Sequence, residues 1–251
     1  MFYIGIDIGS TASKVAVFDE DILEFYFTLP TGWSSVETAE NIKERLIDKG
    51  YFGDSVIVAT GYGRVSVPYA KKTVTEITCH GKGAYYLFQE NCTVIDIGGQ
   101  DTKVITVENG NVTNFIMNDK CAAGTGRFLE LMAGTLGLSI NKISELSRQG
   151  SGTSISSMCT VFAESEVISL IGSGEKRENI AYGVIESITS KVKSLVQKQG
   201  STQNYFLTGG LCDNNAVLES LSRKLCKIVK TTEMGRYAGA IGAALVAKNL
   251  N

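Results

Sequence analysis

The chain has 251 residues, of which 43% are hydrophobic and 20% are charged, and its net charge at neutral pH is -2. These values are typical of a globular protein with one large or two modest domains. The near-neutral charge offers no basic surface for nucleic acid, and no segment approaches the roughly 20 consecutive apolar residues of a membrane span. Because the opening MFYIGIDIGS also lacks a secretory signal pattern, we expect a cytoplasmic protein that binds neither nucleic acid nor membranes.

An approximate repeat relates YIGIDIGSTASKVAVFD at the N-terminus to TVIDIGGQDTKVITVENG near residue 100. In each copy an apolar run ends in aspartate, crosses a glycine turn and resumes as an alternating segment, a pattern that predicts a β-hairpin. The predicted strands are 3–6, 14–18, 93–95, 103–107 and, after the hairpin signal Asn109-Gly110, 112–117. The copies are too far apart for a solenoid, so we interpret them as the beginnings of two copies of one domain core.

Helical periodicity follows both copies. Val36, Ala39, Ile42 and Leu46 share one face of a predicted helix, and apolar residues with the same spacing fill a second predicted helix that ends at Gly200. Sheets that alternate with helices indicate an α/β protein.

The two glycine turns are candidate phosphate-binding loops, because such turns present several backbone N–H groups to phosphate oxygens. The candidate residues beside these amides are Gly9, Ser10, Thr11 and Lys14 in the first loop and Gly98, Gly99, Gln100, Asp101 and Lys103 in the second. Asp7 and Asp96, which close the preceding strands, are suited to hold Mg²⁺ directly or through water. Gln100 and Asp101 are candidates for orienting an attacking water. One such loop alone is equally consistent with a simple turn closed by aspartate, and the duplication favours nucleotide binding.

A third glycine loop, LTGGLCDN, lies between a predicted strand and a predicted helix. Its Gly209, Gly210 and Asn214 are candidates for passing under an adenosine. Gly242, in the C-terminal run GAIGAA, is a weaker candidate because small residues also permit tight helix packing. Neither a Walker A loop nor a GxGxxG motif after a strand is present.

In this order, the three loops resemble the phosphate-1, phosphate-2 and adenosine motifs of the actin, Hsp70 and sugar-kinase ATPase superfamily. The resemblance implies an α/β fold of two ribonuclease-H-like lobes with ATP in the cleft between them. We place the first lobe at 1–92 with a C-terminal helix at 236–251, and the second lobe at 93–235. The segment 234–238 lacks a proline that the superfamily pattern leads us to expect.

Two of the six cysteines stand out. Cys121 in NDKCAAGTGRFLELM and Cys159 in SMCTVFAESEVISLI each precede an amphipathic segment, so we expect both thiols at helix N-termini, where the dipole favours thiolate and an anionic cluster. An iron-sulfur cube normally takes four thiolates, and a two-fold dimer supplies four. Four thiolates also suit zinc, although the wide spacing matches no zinc finger, and the residues alone leave the metal open.

The other cysteines are interpreted as packing residues. Cys92 lies in a predicted strand, Cys226 lies on a predicted helix face, and Cys212 follows the third glycine loop. Cys79 is adjacent to His80, the only histidine, but no further partner is evident in the sequence. We therefore leave both residues out of the predicted site.

The motifs DIGSTASK, GYGR, EITCHGKGA, DIGGQDTK, NDKCAAGTGRFLE and CTVFAESEVISL together resemble the activators of 2-hydroxyacyl-CoA dehydratases, of the BadF/BadG/BcrA/BcrD type. The resemblance implies a homodimer in which Cys121 and Cys159 of both subunits bind one 4Fe-4S cluster. It further implies that turnover of ATP to ADP with Mg²⁺ drives low-potential electrons from a ferredoxin or flavodoxin into a partner dehydratase. An activator of a benzoyl-CoA-type or double-cubane-cluster reductase, a small-molecule kinase and an actin-like filament protein are the alternatives.

Overall fold

The computed structural model describes residues 1–118, 120–156, 159–200 and 202–250. The chain divides into two compact units. Unit 1 comprises Met1–Asn91, Ile105–Asn114 and Met234–Asn251, and unit 2 comprises Cys92–Val104 and Phe115–Glu233. Asn251, the last residue of the predicted C-terminal helix, lies outside the described residues.

Groups of strands alternate with groups of helices along the described part of the chain, in agreement with the predicted α/β class. The strands are β1 (Phe2–Ile8), β2 (Ala12–Asp19), β3 (Ile22–Pro30), β4 (Ser55–Thr60), β5 (Lys72–Thr73), β6 (Cys92–Ile97), β7 (Thr102–Glu108), β8 (Asn111–Asn118), β9 (Tyr205–Gly209) and β10 (Val229–Lys230). The helices are α1 (Ser35–Asp48), α2 (Glu76–Phe88), α3 (Gly126–Thr135), α4 (Ile140–Ser147), α5 (Thr160–Gly172), α6 (Arg177–Gln199), α7 (Asn215–Leu225) and α8 (Ala238–Lys248).

The sheet of unit 1 has the strand order β3-β2-β1-β4-β5, with β1 antiparallel to β2 and parallel to β4. Ile4, Ile6 and Ile8 of β1 pack in the same buried cluster as Ile42 and Leu46 of α1. Because side chains alternate along a strand, Gly5 and Asp7 face the other side of the sheet, where α8 packs. A Cβ on Gly5 would lie 1.8 Å from the Ala240 carbonyl oxygen, so α8 contacts β1 at backbone distance.

One residue of α1 departs from its predicted position. Val36, expected on the buried face, is 60% exposed. Thr38 is buried instead, and its hydroxyl donates hydrogen bonds to the carbonyl oxygens of Thr31 at 2.7 Å and Ser34 at 3.0 Å. These bonds satisfy a polar side chain at a position that apolar spacing alone does not identify.

The second sheet has the order β10-β9-β6-β7-β8, with β6 parallel to β9. The predicted turn between β7 and β8 is confirmed: Asn109 has φ 51° and Gly110 has φ 75°, the positive values that a two-residue hairpin turn requires. The predicted long helix is α6, which ends against Gly200, and Val184, Ile188 and Val192 lie in the core of unit 2.

Within the described residues, no helix has both the length and the apolar character needed to cross a membrane.

Candidate functional site

The first predicted phosphate loop, which we call loop 1, joins β1 to β2 and is stabilised by hydrogen bonds from Thr31. The Thr31 hydroxyl donates to the Gly9 carbonyl oxygen at 2.8 Å, and its amide donates to the Thr11 carbonyl oxygen at 3.0 Å. Ser13 Oγ lies 2.8 Å from Thr31 Oγ1, so a chain of buried hydroxyls supports the loop. The sequence analysis did not identify Thr31, because it follows the end of β3 and belongs to no motif.

The polar side chains of loop 1 remain accessible. Ser10 and Lys14 are partly exposed and Thr11 is exposed. A Cβ on Gly9 would lie 3.5 Å from Lys14 Nζ, so the ammonium lies over the glycine at the loop tip. This arrangement presents one positive charge and two hydroxyls to an anionic ligand.

The carboxylate of Asp7 is buried beside His80. His80 Nε2 lies 3.8 Å from Asp7 Oδ2, and both side chains are less than a tenth exposed. A Cβ on Gly239 of α8 would lie 2.6 Å from Asp7 Oδ2 and 2.7 Å from His80 Nε2, so only glycine leaves room for the pair. The structure therefore brings together a predicted Mg²⁺ ligand and a histidine that the sequence prediction had left out of the site.

Gly242, a weak candidate for nucleotide contact, is fixed by helix packing. A Cβ there would lie 1.8 Å from the Cys79 carbonyl oxygen, and a Cβ on Gly83 would lie 1.8 Å from the Ala238 carbonyl oxygen. Because of these close contacts, α2 packs against α8 at backbone distance. This packing places the side chain of His80, on α2, beside Asp7. The repeated glycines in the two helices are the sequence signal for this packing.

The prediction that Cys79 is a packing residue is confirmed. The residue is fully buried, and burial raises the pKa of the Cys79 thiol to about 12, which disfavours a thiolate nucleophile or ligand. Cys92 and Cys212 are also buried, as expected. The prediction for Cys226 is wrong: it is exposed and caps the end of α7 with φ 53°, because the helix ends one residue before it.

The second predicted phosphate loop, loop 2, joins β6 to β7 and contains an internal ion-pair cluster. Lys103 is 3% exposed, and its Nζ lies 2.8 Å from Asp101 Oδ2 and 3.5 Å from Asp96 Oδ2. Thr208 of β9 donates to Asp96 Oδ1 at 3.0 Å. Lys103 thus pairs with two carboxylates, and its predicted contact with phosphate stays a prediction.

The third loop packs directly on loop 2. Gly209 has φ 85°, a Cβ there would lie 2.5 Å from the Ile97 carbonyl oxygen, and the Gly210 amide donates to that same oxygen at 3.0 Å. Asn214 is the N-cap of α7: its Oδ1 accepts from the Val217 amide at 3.1 Å and from the Ser144 hydroxyl at 2.8 Å. Both predicted glycine positions are therefore adjacent to the aspartate loop of unit 2.

The tip of loop 2 is a tight turn. The Gly98 amide donates to the Asp101 carbonyl oxygen at 2.9 Å, and Gln100 is exposed between them. An exposed amide side chain at this tip is suited to orient a water molecule.

Cys121 is exposed, but it does not open a helix as expected. The next helix, α3, begins at Gly126 with Thr125 as its N-cap. Gly124, which lies between Cys121 and this N-cap, has φ 91°. The Asn118 side-chain amide donates to the carbonyl oxygens of Cys121 at 2.9 Å and Ala123 at 3.3 Å. Side-chain hydrogen bonds hold Cys121 on a turn, and a short-range pattern does not distinguish that turn from a helix start.

Cys159 lies where the sequence predicted, as the N-cap of α5, and its thiol is exposed. Glu166, further along α5, accepts hydrogen bonds from the amide of Ser156 at 3.0 Å and from its hydroxyl at 3.1 Å. Two apolar residues in the first turn of α5 are exposed: Val161 is 65% exposed and Phe162 is 67% exposed. No group of three or more histidine, cysteine, aspartate or glutamate side chains within the described ranges is placed to hold a metal ion.

The sheets and the three glycine loops define a nucleotide-binding protein of the ribonuclease-H-like α/β class. The chain belongs to the BadF/BadG/BcrA/BcrD ATPase family, whose model matches residues 4–247. This membership confirms the family resemblance and the fold class inferred from the motifs.

Named relatives cover almost the whole chain. The (R)-2-hydroxyglutaryl-CoA dehydratase activating ATPase of Acidaminococcus fermentans is 42% identical over 98% of this chain and 97% of its own length. The 2-hydroxyisocaproyl-CoA dehydratase activator of Clostridioides difficile is 38% identical over 98% of this chain and 95% of its own length. A structure of the activator of the 2-hydroxyisocaproyl-CoA dehydratase from Clostridium difficile with bound ADPNP superposes with a TM-score of 0.93 at 37% identity, covering 100% of this chain and 95% of that one.

Proposed function

We propose that this protein is an ATP-hydrolysing activator that delivers low-potential electrons to a 2-hydroxyacyl-CoA dehydratase. It acts as a cytoplasmic homodimer whose two lobes are 1–92 with 236–251 and 93–235. The observation that carries the proposal is the pair of exposed thiols, Cys121 and Cys159, within a chain of this ATPase family. The naming of two relatives as activators of such dehydratases supports the choice of partner.

For the nucleotide, we assign phosphate contacts to the backbone of both glycine turns and to the side chains of Ser10, Thr11 and Lys14. Asp7 and Asp96 hold Mg²⁺, directly or through its waters, because hard oxygen ligands suit this ion. The partly exposed lysine and hydroxyls of loop 1 support this assignment. The relative with bound ADPNP supports ATP as the ligand.

For hydrolysis, we assign the orientation of the attacking water to Gln100 and Asp101. Asp101 is held by Lys103 at 2.8 Å, so its carboxylate has a fixed direction. Gln100 is exposed at the tip of the same turn. A positioned amide or carboxylate beside the nucleophilic water is the usual requirement for phosphoryl transfer to water.

The cysteines fit an iron-sulfur cluster shared by two subunits. Both thiols are exposed, Cys121 on a hydrogen-bonded turn and Cys159 at the start of α5, where unpaired helix N–H groups favour an anion. When bound, a 4Fe-4S cluster supplies a low-potential one-electron carrier. Electrons pass from a reduced ferredoxin or flavodoxin, which is oxidised, to the dehydratase, which is reduced.

The exposed apolar residues Val161 and Phe162 beside Cys159 support a second copy of the chain as the cover for this surface. An interface around a two-fold axis places the same patch of each subunit against the other. Burial of two such side chains from each subunit would contribute favourable hydrophobic energy beside the place where the four thiolates must meet.

The test is iron and acid-labile sulfide per dimer in protein purified without oxygen, compared among Cys121→Ser, Cys159→Ser and Cys226→Ser. Cys226→Ser is the matched control because its thiol is exposed but lies outside the proposed site. We expect about four iron and four sulfide per dimer, lost in the first two variants and kept in the control. Iron-free wild-type protein that phosphorylates a small molecule would instead favour the kinase alternative.

A further inference from the structure

The turn that carries Cys121 has an unusual concentration of hydrogen bonds from side chains to its carbonyl oxygens. Asn118 donates to the carbonyl oxygens of Cys121 and Ala123, and the Thr125 hydroxyl donates to that of Ala122 at 2.6 Å. The carbonyl oxygen of Gly124 accepts from the hydroxyl of Thr102 at 2.7 Å. Four successive carbonyl groups are therefore fixed, and the last of them is fixed by the first residue of β7.

Loop 2 is bonded to the segment that follows this turn. The amides of Gly126 and Arg127, the first residues of α3, each donate at 2.9 Å, to the carbonyl oxygens of Gly98 and Gly99 respectively. The first amides of a helix have no partner within the helix, so loop 2 supplies acceptors that α3 lacks. Two hydrogen bonds thus join loop 2 to the start of α3, and a third joins the first residue of β7 to the cysteine turn.

The geometry of the peptide bond gives these contacts a direction. In a trans peptide the C=O and the N–H point to opposite sides. The Gly98–Gly99 and Gly99–Gln100 peptide groups accept hydrogen bonds from α3 through their carbonyl oxygens. Their N–H groups, which belong to Gly99 and Gln100, point to the opposite side. A phosphate that draws those amides must tilt the same peptides whose oxygens hold Gly126 and Arg127.

We propose that Thr102 is a positioning residue that makes the Cys121 turn move together with loop 2. Thr102 is 2% exposed, and its hydroxyl bonds the Gly124 carbonyl oxygen to the strand that leaves the loop. Gly124 has φ 91°, and a Cβ there would lie 3.2 Å from Lys191 Cβ, so the turn packs closely against α6. Nucleotide state at loop 2 thereby sets the position of the Cys121 thiol. This inference deepens the proposed function and rests on nucleotide binding at loop 2.

The test measures the alkylation rate of Cys121 by iodoacetamide in metal-free, full-length protein. Cys159→Ser and Cys226→Ser remove the other exposed thiols, and Cys79, Cys92 and Cys212 are buried. With Thr102 intact, we expect the rate to differ about threefold or more between the Mg²⁺ complexes of ADP and a non-hydrolysable ATP analogue, the size of effect that one hydrogen bond can transmit. In Thr102→Val the ratio falls to about one, and in Thr102→Ser it is retained, because serine keeps the hydroxyl.

Two results would overturn the proposal: a Thr102→Val protein that binds both nucleotides and keeps the wild-type ratio, or a ratio of one in protein with Thr102 intact and both nucleotides bound. If Thr102→Val does not fold, amide hydrogen exchange in the unmodified chain decides, since the Gly126 and Arg127 amides must change protection between the two nucleotides. The assay contains neither cluster nor dehydratase. Failure of the electron-transfer proposal therefore leaves this result interpretable, and failure here leaves the iron analysis unaffected.

Discussion

Loop 1 and loop 2 begin with the same Asp-Ile-Gly sequence and end on a lysine, yet the two lysines have different surroundings. Lys14 is partly exposed at the tip of its loop, whereas Lys103 is buried between Asp96 and Asp101. The difference arises from Asp101, two residues before Lys103, because loop 1 has the uncharged Ala12 at the corresponding position two residues before Lys14. One extra carboxylate therefore accompanies the change from a partly exposed lysine to a buried lysine that forms two ion pairs.

The aspartates of the two loops differ as well. Asp96 is bonded by Thr208 and paired with Lys103, both from its own sheet. Asp7 is approached by His80, which α2 delivers because glycines let α8 and α2 pack at backbone distance. A repeated motif can therefore keep its backbone while its charge partners come from unrelated parts of the chain.

The largest expected effect contrasts the two lysines. Lys103→Met leaves two carboxylates without their buried cation, so we expect a loss of about 3 kcal/mol in the free energy of unfolding. Lys14→Met removes a partly exposed charge and should change stability by less than about 1 kcal/mol while weakening ATP binding. Urea denaturation and nucleotide titration measure the two quantities. Equal destabilisation by both variants would contradict the contrast.

The next test addresses the space around Asp7. Gly239→Ala places a methyl group 2.6 Å from Asp7 Oδ2 and 2.7 Å from His80 Nε2, which should cost about 1–3 kcal/mol of stability. It should also weaken Mg²⁺-dependent ATP binding more than ADP binding without metal. Gly134→Ala in α3 is the control, because no atom lies within 4 Å of its added Cβ. A destabilisation of the control as large as that of Gly239→Ala would show that the effect is not specific to the aspartate.

A smaller effect is expected at the hydroxyl support of loop 1. Thr31→Val removes the donor to the Gly9 carbonyl oxygen and should destabilise the protein by about 1 kcal/mol. ATP affinity should fall with it, because the loop tip loses its fixed position. Thr31→Ser keeps the hydroxyl and should restore affinity. Unchanged ATP affinity in Thr31→Val, measured by titration calorimetry, would show that loop 1 does not need this support.

The smallest effect concerns an ion-pair cluster nearer the surface, which sharpens the contrast with buried Lys103. Burial acts to raise the pKa of Glu186, but hydrogen bonds with Lys224 and Ser220 and the charges of Lys224 and Arg223 outweigh it and lower the pKa. A carboxyl whose folded pKa lies below its unfolded value stabilises the protein above the unfolded pKa, and this contribution is lost as pH falls through the folded pKa. Glu186→Gln should therefore lower stability near neutral pH and lose less stability than wild type on acidification. Parallel pH profiles of the two proteins in thermal unfolding would exclude this contribution.

The sequence by itself determined the strands around both glycine turns, the hairpin at Asn109-Gly110, the α/β class and the family. These features depend on local sequence patterns and on the order of the motifs. It also indicated the two cysteines that the proposal uses. Tertiary structure decided the partners: His80 for Asp7, Thr31 for the Gly9 carbonyl, Asp101 for Lys103 and Thr102 for the Cys121 turn. The periodicity of apolar residues predicts which side of a single helix or strand is buried. The contacts that fix buried charges and carbonyl groups join distant segments, and only packing brings those segments together.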